Sequence, residues 1–148
     1  MVTKEIIEFY ESSKRICYYL TDTVIRQENV EELLLLLLDL YGKGLLLLDV
    51  EPDSVDNHTK SETISDIRIE IPTCYWEVFD PWTEEEMVCG DLYDDLTDIR
   101  HDLMKGIIEY EAGYINNAVF NWKLFHRSHY GNHIVATMKA LQHLREDN

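Results

Sequence analysis

Residues 91–102 read DLYDDLTDIRHD, and the rest of the chain is organised around them. The acids fall at Asp91, Asp94, Asp95, Asp98 and Asp102, with His101 among them. At about 100° per residue these side chains share an arc of roughly 120° on one helix face. Leu92, Leu96, Ile99 and Leu103 fall on the neighbouring face, as a stripe directed at a core requires. The stretch is therefore read as an amphipathic helix with a uniformly acidic polar side. Like charges at i,i+3 and i,i+4 repel by a few tenths of a kcal/mol per pair. Several such pairs coexist here almost without lysine or arginine between them. Either the face is simply solvated, or a cation from elsewhere neutralises it: a metal, a histidine or a basic partner.

Outward from this helix, the composition fits one folded domain over residues 1–148. The chain is 45% hydrophobic and 11% aromatic, enough for a core despite its charge. Its 29 acids against 13 bases leave a net charge of -16. That sign disfavours direct nucleic-acid binding and anionic membrane surfaces, because both present like charge. Cys17, Cys74 and Cys89 are odd in number and widely spaced, which fits neither a disulfide framework nor a zinc knuckle. With no apolar segment at the N-terminus, the expected setting is a reducing, bacterial or phage cytoplasm. Leu33–Leu48 is broken by Asp39, Gly42, Lys43 and Gly44 and falls short of the ~20 apolar residues of a membrane span.

The predicted order is a first helix over about 3–23 and a second capped by Asn29, with Gly42 and Gly44 ending or bending it. Six successive leucines, Leu33 to Leu38, cover every face of a helix, so this element is central or lies at a homodimer contact. A loop is expected over 50–59. Ile67, Ile69 and Ile71 alternate with polar residues, as in a short strand without a partner in the chain. Tyr75, Trp76, Val78, Phe79, Pro81 and Trp82 are read as an irregular aromatic connector that lids one end of the core. A third long helix spans 91–111 and stops at Gly113, and a last one spans 114–143 with a kink or break at Tyr130-Gly131-Asn132. The fold class is all-α, an antiparallel bundle of about four main helices.

The last helix holds the second constellation. Trp122, His126, His129 and His133 lie within roughly 80° on a helical wheel. His129 and His133 have the i,i+4 spacing that lets two imidazoles hold one metal, but Tyr130 stands where a zinc protease has glutamate. Asp98 lies about 15 residues before the turn and His129 about 16 after it, nearly level at ~1.5 Å per residue. Asp94 and Asp95 are likewise level with His133. A site of Asp94, Asp98, His129 and His133 is thus geometrically possible, with Asp95 or Asp102 behind it or acting as a base. Such ligands suit manganese, iron or zinc. No phosphate-binding glycine loop, serine-nucleophile motif or HExxH occurs. Cys17 falls on the apolar stripe of the first helix and reads as core.

WEVFDPW (76–82), VCGDLYDDLTDIRHDLMKGI (88–107), NWKLFHRSHYGNH (121–133) and the ATMKALQHL tail resemble the bacterial domain-of-unknown-function family numbered 5063. LYGKGLLLLDVEP (40–52) matches that family's earlier helix and loop. The chain departs from the pattern at Tyr130, where the family favours tryptophan, and near Leu48, where it favours proline. The resemblance covers most of the chain and implies the fold and the Asp and His positions; the family carries no established activity. The leading expectation is an acidic, non-enzymatic interaction protein of the immunity or inhibitor type. It would bind a basic protein partner through Asp91, Asp94, Asp95, Asp98 and Asp102 and need no cofactor. The alternatives are a bundle binding a divalent transition metal, with hydrolysis as its reaction, and a homodimeric scaffold joined through Leu33–Leu38.

Overall fold

The structure is a computed structural model and describes residues 2–53 and 64–146. Five α-helices dominate it: α1 (Lys4–Asp22), α2 (Val30–Leu45), α3 (Leu92–Glu111), α4 (Ile115–Ser128) and α5 (Tyr130–Glu146). Helix α1 begins where the Thr3 side chain accepts from the Ile6 amide. Helix α3 begins where Asp91 accepts from Tyr93 and Asp94. It ends on Gly113, whose φ of 93° is open to glycine without strain. There the Tyr114 amide reaches back to the Glu109 carbonyl.

Helix α3 packs against α1, α4 and α5, and α2 against α1, α4 and α5. Phe9, Leu33, Leu37, Leu96, Ile99, Leu103 and Trp122 fill the space between them. The Trp122 indole lies on Gly106 and donates to the Leu103 carbonyl at 3.3 Å. A side chain at Gly106 would overlap that ring, which explains a glycine inside α3.

Four sequence expectations change. The last helix is broken where a kink or break was expected, though at His129 (φ −142°, ψ −88°), one residue before Tyr130-Gly131-Asn132; this separates α4 from α5, so five helices replace about four. The 67–71 segment has a partner after all. Arg68–Ile69 (β2) pairs in parallel with Val24–Ile25 (β1). The aromatic connector is regular in part, since Cys74–Glu77 (β3) and Val88–Asp91 (β4) form an antiparallel ladder. It is no lid: Trp76, Phe79 and Trp82 are 70%, 75% and 93% exposed. Finally, α2 continues through Gly42 and ends at Leu45, one residue past Gly44, and Asn29 holds its N-cap position but turns its side chain to the Arg26 amide, not to α2. Much of the 50–59 loop lies outside the described residues. No helix among the described residues is long and apolar enough to cross a membrane.

Candidate functional site

Packing of α3 under the α4–α5 corner brings the two constellations together. Later residues of the corner meet earlier residues of α3. His129 Nδ1 bonds to Asp102 Oδ2, and its Nε2 lies 4.0 Å from Asp98 Oδ2. His133 Nδ1 bonds to Asp95 Oδ1 at 2.7 Å, and its Nε2 lies 3.4 Å from the same Asp98 oxygen. Each imidazole is therefore gripped at Nδ1 by one carboxylate and turned with Nε2 toward Asp98. The rings meet edge to face, with centroids 4.8 Å apart. One ligand atom from each of Asp98, His129 and His133 fits within a mutual spread of 4.8 Å.

The corner itself sets this geometry. The His129 amide closes α4 on the Phe125 carbonyl at 2.8 Å. Its carbonyl then accepts from Asn132 and His133 and starts α5. Tyr130 turns inward, fully buried, and donates to the Trp122 carbonyl at 2.6 Å. Gly131 seats directly on the His126 carbonyl oxygen, where a Cβ would overlap. A tight corner at Gly131 is what lets two consecutive helices present histidines to one helix.

Two groups that sequence reasoning missed complete the site. Tyr75, on β3, donates its hydroxyl to Asp95 Oδ2, so Asp95 spans His133 and Tyr75. Burial and this acceptor push the Tyr75 phenol far up. Glu77, also on β3, has its carboxyl raised by burial and then by Asp95, against the pull of His133. The signal lay in the alternation CYWE, which directs Tyr75 and Glu77 to one side of a strand. The Asp95 hydrogen bond raises His133 above its ordinary 6.5, with desolvation opposing and Asp98 and Asp102 adding.

The five aspartates have separate fates. Asp91 caps α3, Asp95 and Asp102 hold the histidines, and Asp98 is half exposed between the two Nε2 atoms. Asp94 is exposed and lies outside the cluster; the inward position belongs to Asp95. His101 is exposed beside Asp102, with Nδ1 3.6 Å from Oδ1. His126 is also outside the cluster. It is buried against Gly44, with Nε2 3.0 Å from the Tyr41 carbonyl. Cys17 is core, its thiol pushed up to about 12 by burial.

The model of the family described as Domain of unknown function (DUF5063) matches residues 1–147. The chain belongs to that family. The match takes in both the acidic helix and the histidine corner. No curated protein and no solved structure matches the chain significantly.

Proposed function

We propose that this protein binds one divalent transition metal through Asp98, His129 and His133. The observation that carries the reading is the convergence of both Nε2 atoms on one Asp98 oxygen while Asp95 and Asp102 occupy both Nδ1 atoms. A carboxylate at Nδ1 fixes the tautomer, leaves the Nε2 lone pair available and makes it more basic. Ligand atoms about 2.0–2.2 Å from one ion stand about 3–3.5 Å apart. The observed separations of 3.4 and 4.0 Å need only small side-chain adjustments to reach this. Two imidazoles and one carboxylate suit iron, manganese or zinc, and three protein ligands leave coordination positions open. Asp98 and His129 are 45% and 43% exposed, so those positions reach solvent. An open divalent ion acidifies its bound water, which makes hydrolysis the first activity to screen.

The charge-based reading, a surface for a basic partner, needs acids free to meet that partner. Three of the five aspartates are engaged within the chain, so the metal reading has the stronger support. Metal analysis of protein purified without chelator tests it. About one ion per chain is expected, lost in the double variant Asp98→Asn, His129→Ala. A folded wild-type protein that takes up no zinc, manganese or iron(II) in equilibrium dialysis defeats the reading.

A homodimer through α2 is a second reading, favoured by one observation. Leu35, Leu38 and Leu45 are 68%, 60% and 62% exposed. With Gly42, which has open space above it, they follow an a/d spacing along one face. Leu37 is fully buried and would report only on folding. The informative variant is therefore Leu38→Glu, in sedimentation experiments: it should turn a dimer into a folded monomer, and a monomeric wild type ends this reading.

A further inference from the structure

Beside the cluster, a groove of about 790 Å³ lies between α5 and the β3 segment. Its size falls within the ~300–1,000 Å³ of small-molecule sites. His133, Ala136, Ala140 and His143 line its α5 side, and Trp76, Val78 and Phe79 its other wall. The two alanines leave room over a helix surface that larger side chains would close. The two aromatic rings stand largely in water, at 70% and 75% exposure. From His133 to His143 the α5 side is about 15 Å long at ~1.5 Å per residue.

The groove is also electrically polar. At the His133 end stand Glu77 and the Asp95 that holds His133. Further along α5, Lys139 is exposed and makes no ion pair among the described residues, with His143 one turn beyond. In a chain of net charge -16, a lysine on an apolar groove with no carboxylate partner among the described residues favours an anion at that place. The carboxylates at the other end disfavour one there.

We infer that this groove binds an elongated apolar molecule carrying one anionic group, with the anion at Lys139 and the apolar chain running toward His133. Binding itself does not need the metal; only the assignment of this molecule as the substrate rests on the metal reading, because the chain would end beside the proposed metal ligands. The occupant is a chain or linear ring system with a carboxylate or similar head, its body covered by Trp76 and Phe79.

Calorimetric titration of the 148-residue chain in chelator, with octanoate and decanoate below their micellar concentrations, tests this directly. Saturable binding is expected, tightening about two- to fourfold per added methylene. Decyltrimethylammonium, the same chain with a cationic head, should bind at least tenfold more weakly than decanoate. Lys139→Glu should reverse that preference. Ala136→Trp should abolish binding of both while leaving the circular dichroism unchanged. Absence of saturable decanoate binding overturns the inference, and so does equal binding of the two heads. A wild-type dimer that Ala136→Trp dissolves also overturns it, since a second copy would then fill the groove. The two failures are separable: decanoate binding without metal uptake defeats the metal reading alone, and metal uptake without decanoate binding defeats this one alone.

Discussion

His126 and His133 are about two turns apart in sequence, and the corner at His129 gives them opposite environments. His126 goes into the core, where Nε2 faces a carbonyl, which can only accept. Its neutral ring therefore carries the proton on Nε2. His133 goes onto α3, where Asp95 accepts from Nδ1 and Nε2 is left with its lone pair. Burial lowers His126 below 6.5, and the Tyr41 carbonyl only partly offsets that; the Asp95 bond raises His133. The same side chain is thus a structural donor in one place and a candidate ligand in the other. The partner at one ring nitrogen decides which.

The largest effect should come from removing the corner that separates them. Gly131→Ala places a Cβ on the His126 carbonyl oxygen. It is expected to cost about 3 kcal/mol in urea unfolding and to abolish metal uptake in whatever fraction stays folded. Wild-type stability would mean that the Gly131 contact does not constrain the corner.

Next in size is the carboxylate behind the ligand. Asp95→Asn should weaken metal binding by about 10- to 100-fold, because it removes the negative charge that makes Nε2 of His133 more basic and leaves one oxygen to serve both the His133 Nδ1–H and the Tyr75 hydroxyl. His126→Gln should leave metal binding unchanged and lower stability. Equal effects of the two on metal affinity would erase the distinction between the histidines.

The two histidines should also act on opposite limbs of the pH–stability curve of the metal-free protein. His126 has a depressed folded value, so its contribution is complete above 6.5 and is lost as the pH falls below it. His133 has a raised folded value, so its contribution is complete below 6.5 and is lost as the pH rises through that folded value. In urea melts from pH 5 to 8, His126→Gln should flatten the acid side of the stability curve and His133→Gln the neutral side. Flattening of the same limb by both would be the contrary result.

The smallest expected change is Tyr75→Phe. It removes the donor to Asp95 Oδ2 and should cost about 1 kcal/mol in thermal unfolding. Imidazole nitrogen shifts measured by NMR would show whether His133 then loses its Nδ1–H tautomer.

The features legible before folding are local ones. Thr3, Asp91 and Gly113 mark helix ends because a cap needs only the residues within one turn of it. The leucine and isoleucine stripe of α3 named its buried face for the same reason, since the helical period alone brings those side chains together. The spacing of Asp98 and His129 about Gly113 also foretold that the acids and histidines are level. The remaining features depend on contacts between distant segments. A helical wheel places Asp94 and Asp95 in one arc, and only the packing of α3 against the α4–α5 corner turned Asp95 inward and left Asp94 in water. The break between α4 and α5 is local and Tyr130-Gly131-Asn132 signalled it; which partner each histidine then meets, the Tyr41 carbonyl for His126 and Asp95 for His133, came from packing. The β1–β2 pair joins Val24 to Arg68, and Tyr75 meets Asp95 across β3 and α3. These contacts join segments whose meeting no local preference dictates: it follows from how the whole core closes.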